Sequence, residues 1–259
     1  MDLNITARKA IVCASSRGLG RACAMALAAE GCEVFINGRD PASLNQAAVA
    51  IRDSTGVEVV QVVADLNSGA GRAALLAACP APDILVTNNG GPPPGRYQDW
   101  DLGTWQQALE ANMLSAILLI QAVMDGMRAR QFGRIVNITS AMVKSPRLPM
   151  GLSTAARAGL TAFSKALSLE VVRDNVTINN VLPERIATDR LTYMTGQLAK
   201  HKNISLEQAR AEMLAPVPAG RFGTPEEFAA ACLFLCSSQS GYITGQNLQL
   251  DGGAYSGLI

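Results

Sequence analysis

The stretch that decides the fold runs from Lys9 to Gly20 and reads KAIVCASSRGLG. Its apolar part, residues 10–14, predicts a strand buried in a parallel sheet, and an amphipathic helix is predicted from Leu19 to Glu30. A glycine turn between a strand and a helix lets a pyrophosphate approach the backbone and the free N–H groups of the first helical turn. Glycines that serve packing alone are the alternative. The candidate donors are Ser15, Ser16 and the N–H groups of Gly18, Leu19 and Gly20.

The composition limits the classes of protein to which the chain can belong. Its 259 residues are 49% apolar and 5% aromatic, which suits one α/β domain with a large core. The net charge of +1 offers no basic surface for nucleic acid or an anionic membrane. No apolar run of membrane-spanning length and no signal peptide is expected, so we predict a cytoplasmic protein. The six cysteines contain no CxxC pair, which predicts buried, reduced thiols and no metal site.

Strand-like apolar runs alternate with helix-period stretches along the chain. The predicted strands are residues 8–14, 32–37, 57–64, 83–87, 133–139, 176–182 and 246–250. The predicted helices are residues 18–30, 41–54, 69–79, 103–130, 153–173 and 225–236. This alternation predicts a doubly wound Rossmann fold, in which helices cover both faces of a seven-stranded parallel sheet. Because no linker or repeat divides the chain, we predict a single dinucleotide-binding domain over residues 1–259.

The end of the second predicted strand indicates which dinucleotide is bound. In this fold the residue roughly 20 positions after the glycine turn faces the adenosine ribose, and an acid there favours NAD. Here the position carries Arg39, and Arg17 lies in the turn itself. Two guanidiniums suit a 2′-phosphate, so NADP(H) is predicted in preference to NAD(H). Two alternatives stay open: Arg39 is a solvated turn residue, or Asp40 binds a ribose hydroxyl.

Polar residues also follow the third and fourth strands and interrupt one helix. Asp65, with Leu66, ends the third strand beside the expected ligand crevice, or caps the next helix. Residues 88–90 follow the fourth strand, where the amides of Asn88 and Asn89 and the small Gly90 can hold a loop against a cofactor. Asn112 interrupts an apolar helix face, and a buried amide needs hydrogen-bond partners. Capping or packing is the alternative role for Asn112.

These motifs together resemble the short-chain dehydrogenase/reductase family, with the pattern most similar to its 3-oxoacyl-acyl-carrier-protein reductase-like members. The similar segments are CASSRGLG (13–20), TNNG (87–90), NITS (137–140), NVLPERIAT (180–188) and much of the C-terminal stretch 220–253. Cys13 and Ala14 stand where Thr and the first Gly are usual, and Glu184 stands where Gly is expected. The resemblance implies that Asp65 contacts the adenine. It implies a nicotinamide loop that contains Pro183, Ile186 and Thr188.

The resemblance places an altered catalytic set at the active site. It implies that Asn112 and Ser140 are catalytic, and that Ser153 and Arg157 occupy the positions of the family's Tyr-x-x-x-Lys pair. A phenol has a pKa of about 10 and can be activated by a nearby cation, whereas an aliphatic hydroxyl is a far weaker acid. Arg157 can hold the ribose hydroxyls of the cofactor but does not release a proton. The site therefore keeps its cofactor half and loses the usual proton donor.

Three functions are compatible with this altered set. The first is an NADP-dependent reductase of a small carbonyl compound. Its proton would come from Ser153, from a water chain through Asn112 and Ser140, or from Tyr97 or Tyr193. The second is a cofactor-binding protein without redox turnover. The third is a non-redox reaction on a carbonyl, in which Ser140, Ser153 and Arg157 form an oxyanion site. The sequence does not identify the substrate.

The stretch 188–219 is predicted to be a substrate lid because its polarity is mixed and it ends in prolines. Four of its apolar residues either line a pocket or pack within the lid: Met194, Leu198, Met213 and Leu214. His201, the only histidine, lies in a polar stretch and is expected to be solvated, which argues against a Ser–His hydrolase. The resemblance implies a homotetramer built through helices 103–130 and 153–173.

Overall fold

A computed structural model describes residues 2–258 of the chain. Seven strands form one sheet in the order β3-β2-β1-β4-β5-β6-β7, and each neighbouring pair is parallel. The order reverses between β1 and β4, which confirms the predicted doubly wound Rossmann fold. The strands are β1 (Lys9–Val12), β2 (Glu33–Gly38), β3 (Val59–Val63), β4 (Ile84–Thr87), β5 (Gly133–Ile138), β6 (Val176–Pro183) and β7 (Asn247–Leu250).

Helices cover both faces of this sheet. They are α1 (Gly18–Ala29), α2 (Pro41–Thr55), α3 (Gly69–Ala78), α4 (Leu102–Leu109), α5 (Ser115–Ala129), α6 (Gly151–Val171), α7 (Asp189–Lys202), α8 (Leu206–Leu214) and α9 (Pro225–Cys236). One predicted helix, residues 103–130, is divided, because a π-helical segment, Glu110–Leu114, joins α4 to α5. The predicted lid contains two helices, α7 and α8, that the sequence pattern did not reveal.

Two apolar cores lie on opposite faces of the sheet. Alternate residues of each strand point to opposite faces, so Val34 and Ile36 join the core under α1, α2 and α9, whereas Phe35 joins the core under α3, α5 and α6. Burial on both faces explains why the central strands read as continuous apolar runs. All six cysteines are buried and form no disulfide, as predicted.

The helices that follow β2 and β3 begin at side-chain caps. Asp40 caps α2 by accepting a hydrogen bond from Ser43 N at 2.9 Å. Ser68 caps α3, since its Oγ accepts from Gly71 N at 3.0 Å. The alternative in which Asp65 caps this helix is therefore wrong: its Oδ1 accepts from Asn67 N at 3.1 Å, before the helix begins.

The helical stretch Leu102–Ala129 is long and apolar enough to cross a membrane. It has 28 residues and contains an 18-residue window with a mean hydropathy of 1.4, whereas no such stretch was expected from the sequence. A core helix of a globular protein can have the same length and hydropathy, so these two properties alone do not identify a membrane span. Leu119, Ile120 and Val123 from this stretch pack in the core beneath α5.

Candidate active site

A cleft of about 730 Å³ opens along the carboxyl edge of the sheet. This edge, beside the point where the strand order reverses, is where open α/β sheets bind ligands. Most of the residues that the sequence predicts to be functional line it. They are Ser16, Arg17, Gly18, Leu19, Arg39, Asp65, Leu66, Asn88, Asn89, Gly90, Ser140, Ser153, Arg157, Pro183, Ile186 and Thr188.

Two residues of the glycine turn, Ser15 and Gly20, do not line the cleft. Ser15 is fully buried: its Oγ donates to Val12 O at 2.7 Å and accepts from Asn37 N at 3.0 Å. Its hydroxyl is therefore not available to a phosphate, which corrects that expectation. A Cβ on Gly20 would lie 2.4 Å from Ala14 O, so this glycine permits the close approach of α1 to the end of β1.

The first turn of α1 keeps its backbone donors available at the cleft. Arg17 precedes the helix and makes no side-chain cap, and Gly18 has a left-handed φ of +57°. A Cβ on Gly18 would lie 3.9 Å from Thr188 Cγ2, so at this glycine the turn lies close to the loop after β6. Ala14 also has a positive φ, +45°, at the point where the turn begins.

Arg17 and Arg39 are both exposed at the end of the cleft near β2 and β3. Within residues 2–258, neither guanidinium forms an ion pair with a carboxylate. Hydrogen bonds from Ser43 lower the pKa of the nearby Asp40, with a smaller contribution from the charge of Arg17. Asp40 is thus engaged as a helix cap, while the two arginines stay available to a ligand.

A chain of buried hydrogen bonds crosses the sheet beneath the cleft, from β4 to β7. Thr87 Oγ1 donates to Asn137 Oδ1 at 2.6 Å, and Asn137 Nδ2 donates to Ser164 Oγ at 2.9 Å and to Asn180 Oδ1 at 3.0 Å. Asn180 Nδ2 donates to Asn247 Oδ1 at 2.8 Å. Such a satisfied polar network fixes the relative positions of the strand ends. Each of the four strands contributes one polar residue to this network. Thr87, Asn137 and Asn180 belong to the short motifs quoted in the sequence analysis.

Three predicted catalytic residues form one hydrogen-bonded chain. Arg157 Nε donates to Ser153 Oγ at 3.0 Å, and the Ser153 hydroxyl donates to Asn112 Oδ1 at 3.1 Å. Asn112 Nδ2 donates in turn to Gly90 O at 3.0 Å. Asn112 lies in the π-helical segment Glu110–Leu114 and Ser153 in the first turn of α6. π-Helical segments occur often at functional sites, where they redirect a side chain.

Arg157 is almost fully engaged with the protein. Its Nη1 donates to Ile138 O at 2.7 Å and to Thr139 O at 3.0 Å, and its Nη2 donates to Asn89 O at 3.3 Å. With the bond to Ser153, four of the five guanidinium donors are used. Burial lowers the pKa of Arg157 to about 10, with a further contribution from the positive charge of Arg190, so it remains a cation at neutral pH. Only one N–H donor of the guanidinium therefore remains for the ribose hydroxyls, which Arg157 was predicted to hold.

The fourth catalytic candidate, Ser140, follows β5 at the floor of the cleft. Its Oγ accepts a hydrogen bond from Met142 N at 3.2 Å. No acceptor for its hydroxyl proton is found within the described part of the chain. Ser140 can therefore donate a hydrogen bond to a ligand without breaking an existing one.

The loop after β6 holds an ion-pair cluster that sequence reasoning missed. Glu184 Oε1 pairs with Arg185 Nη1 at 2.6 Å and with Arg147 Nη2 at 3.2 Å. Arg185 has a left-handed φ of +53°, and its Nε is buried without a hydrogen-bond partner. Burial lowers the pKa of Arg185, and the adjacent Glu184 opposes that effect. The unexpected Glu184 in the motif was the available signal, because a carboxylate there needs a cation.

The predicted lid contributes part of the cleft wall. Met194 and Met213 line the cleft, whereas Leu198 and Leu214 do not. Tyr97 and Tyr193, the alternative proton donors, are 57% and 58% exposed and lie outside the cleft lining, so the structure does not support that role. Arg190 of α7 was not predicted, yet it lines the cleft and donates to Gly91 O and Pro92 O, each at 3.4 Å. His201 is exposed, as predicted.

The chain is similar to known reductases over nearly its whole length. The profile of a family described as enoyl-(acyl carrier protein) reductase matches residues 13–255. The 3-oxoacyl-[acyl-carrier-protein] reductase FabG of Escherichia coli (strain K12) is 35% identical over 257 residues, which are 98% of this chain and 99% of that protein.

Two solved structures extend this similarity to three dimensions. L-Sorbose reductase from Gluconobacter frateurii, complexed with NADPH and L-sorbose, has a TM-score of 0.94 at 29% identity, over 100% of both chains. YwfH, an NADPH-dependent reductase involved in bacilysin biosynthesis, has a TM-score of 0.92 at 27% identity, over 98% of this chain and 100% of the other. Both relatives are named as reductases, one described as NADPH-dependent and the other solved in complex with NADPH.

Proposed function

The chain belongs to the short-chain dehydrogenase/reductase family, and from that membership we propose that it is an NADP(H)-dependent reductase of a small carbonyl compound with an atypical active site. In this proposal Ser153 takes the role of the family's Tyr, and Arg157 supplies the positive charge beside it that the family's Lys supplies. One observation carries the proposal: the hydrogen-bonded chain from Arg157 through Ser153 to Asn112 lies at the carboxyl edge of the sheet, beside a cleft of dinucleotide size.

The cleft fits a phosphorylated nicotinamide dinucleotide. The uncapped first turn of α1 and the absence of a side chain at Gly18 leave backbone N–H groups for a pyrophosphate. Arg17 and Arg39, without carboxylate partners in the described structure, suit the 2′-phosphate. Asp65 and Leu66 would bound the adenine, and residues 183–188 would bound the nicotinamide. When bound, this cofactor supplies the hydride.

Ser153 is the proton donor in this mechanism. Its hydroxyl turns from Asn112 Oδ1 to the carbonyl oxygen of the substrate and gives up its proton as negative charge develops there. The Arg157 Nε–H, 3.0 Å from Ser153 Oγ, stabilises the charge left on the serine oxygen until water in the cleft restores the proton. Ser140 donates a second hydrogen bond to the same substrate oxygen. Asn112 holds Ser153 in place before the reaction.

An NADPH-oxidation screen tests the proposal directly. The panel contains acyl thioesters, diketones, quinones and aldehydes, and we expect oxidation of NADPH with at least one class. NADPH binding without turnover on any class would identify a cofactor-binding protein instead. Turnover of a carbonyl compound without any cofactor would identify the non-redox reaction.

Cofactor preference has its own test, a fluorescence titration with NADPH and NADH. A charge-assisted hydrogen bond contributes about 1.5–3 kcal/mol, so we expect NADPH to bind at least about tenfold more tightly than NADH. Arg39→Ala should remove most of that preference. Arg21→Ala is the matched control, because Arg21 is an exposed cation on α1 that does not line the cleft. Equal affinity for the two cofactors in the wild-type protein would contradict the assignment to NADP(H).

We also propose that the protein assembles as a homotetramer through α5 and α6. Leu118 of α5 and Leu169 of α6 are exposed apolar side chains on these helices, and Leu114 lies just before α5. Association of copies of the chain would remove these side chains from water. Light scattering coupled to size-exclusion chromatography measures the assembled mass, and Leu169→Glu should reduce it.

A further inference from the structure

Arg190 brings a guanidinium from the predicted lid to the proposed proton donor. It is the second residue of α7, and its only hydrogen bonds in the described structure are the two long ones to Gly91 O and Pro92 O. A Cβ on Gly91 would lie 3.3 Å from Ser153 Oγ, 3.4 Å from Asn112 Oδ1 and 3.6 Å from Arg190 Nη2. The guanidinium therefore faces the same small space as the reactive hydroxyl.

Two guanidiniums, those of Arg157 and Arg190, lie in this part of the cleft. Asp189, which precedes Arg190, also lines the cleft but forms no ion pair within residues 2–258. The charge of Arg190 contributes to the lowered pKa of Arg157, after burial, so the two cations are close enough to repel. Neither forms an ion pair with a carboxylate anywhere in residues 2–258. Glu184, which also lines the cleft, is already shared by two other arginines. Two neighbouring guanidiniums beside a ligand cleft are stabilised when the ligand itself is negative.

We propose that the substrate is an oxo acid whose carboxylate binds Arg190 while its carbonyl group meets Ser153. The planar guanidinium matches a carboxylate in a two-bond geometry, and its two long bonds to loop carbonyls are weak enough to be exchanged. Leu191, Met194 and Met213 give the cleft wall beside it an apolar surface for the carbon chain. The part of this proposal that concerns the carbonyl rests on the proposed reductase function, whereas the binding of the carboxylate does not.

The test measures binding rather than turnover, so it is separate from the test of the reductase. Pyruvate, acetoacetate and levulinate place the carboxylate at increasing distance from the carbonyl, and their methyl esters are matched neutral probes. Each is titrated into the protein saturated with NADP⁺, which cannot donate a hydride, and tryptophan fluorescence or calorimetry reports binding. We expect at least one acid to bind about tenfold or more tightly than its ester, because hydrogen bonds to charged groups are the strong ones.

Variants of α7 assign that preference to Arg190. Arg190→Leu should abolish the preference for acid over ester, and Arg190→Lys should keep part of it because the charge remains. Lys200→Leu removes a cation from an exposed position near the end of the same helix and should change nothing. Equal binding of every acid and its ester, or no binding of any acid, overturns the proposal. So does weaker NADP⁺ binding by Arg190→Leu, since the guanidinium would then serve a cofactor phosphate.

Discussion

Replacing Ser153 by alanine removes the proposed proton donor and two hydrogen bonds at once. The side chain is buried, with 6% of the residue exposed, and its oxygen lies between Arg157 Nε and Asn112 Oδ1. In Ser153→Ala both of those partners lose a bond, and a buried polar group left unpaired costs about 1–3 kcal/mol. Because Ser153 borders the open cleft, water can replace the hydroxyl, so we expect a loss of about 1–2 kcal/mol in the free energy of unfolding.

The effect on catalysis should be much larger than the effect on stability. General acid–base catalysis contributes about 10²- to 10⁴-fold, so kcat for the carbonyl substrate should fall at least about 100-fold in Ser153→Ala. At about 1.4 kcal/mol for each factor of ten, this is a loss of about 3 kcal/mol or more in transition-state stabilisation. The Kd for NADPH should stay unchanged, because in the proposed mechanism the serine contacts the substrate oxygen and not the phosphates.

The assays are urea unfolding, NADPH fluorescence titration and steady-state NADPH oxidation on the same samples. Ser168→Ala is the matched control: Ser168 is a fully buried serine on α6 whose Oγ donates only to Lys165 O, at 2.8 Å. It should lose a comparable amount of stability and keep its kcat. If kcat of Ser153→Ala stays within about threefold of the wild-type value, far below the usual contribution of a general acid, the proton comes from another group and the mechanism is refuted.

Three further predictions concern stability. Ala14→Gly should stabilise the fold by about 0.5–1 kcal/mol in urea unfolding, because Ala14 has a φ of +45° that glycine adopts without strain; a loss of stability would contradict this. Gly20→Ala should destabilise by about 2 kcal/mol or more, since its Cβ would lie 2.4 Å from a backbone oxygen, whereas Gly69→Ala, with nothing within 4 Å, should be neutral. Hydrogen bonds from Arg221 lower the pKa of Glu227 from 4.5 to about 2, so its stabilising contribution is present above pH 4.5 and is lost as pH falls toward 2. The Tm of Glu227→Gln should therefore be lower than the wild-type Tm at pH 7 and approach it in acid, and a constant difference would argue against the ion pair.

The sheet was predictable because parallel strands buried on both faces leave continuous apolar runs in the sequence. Each of the seven predicted strands is present, with ends that differ by a few residues. The two helices of the lid were missed because α7 and α8 are mostly polar, so the few apolar residues of α7, such as Leu191, Met194 and Leu198, did not stand out as a helical pattern. The π-helical segment at Asn112 was missed because it shifts the hydrogen bonds without ending the helical periodicity.

The candidate site was predictable where a residue's position along a strand decides its location. Asp65 and Ser140 follow strands, and the carboxyl ends of the central parallel strands lie along the edge where the cleft opens. The direction of a side chain was harder to predict from the sequence: Ser15 is buried in the protein, although its neighbour Ser16 lines the cleft. Ion pairs between residues that are distant in the sequence could not be predicted at all. Glu184 and Arg147 are far apart in sequence, and only the packed structure brings them together.

The hydrogen bonds of Arg157 have a consequence for any substitution at this position. The guanidinium ties together the ends of β4 and β5 through carbonyl oxygens of Ile138, Thr139 and Asn89. A lysine ammonium has only three protons and no planar fork, so it cannot satisfy all of these oxygens and a serine as well. Exchanging Arg157 for lysine alone would therefore leave at least one of these oxygens without its hydrogen bond and should lower the stability of the fold. The guanidinium that contacts Ser153 is thus also the one that holds two strand ends together, so a substitution at Arg157 changes the site and the stability of the sheet edge at the same time.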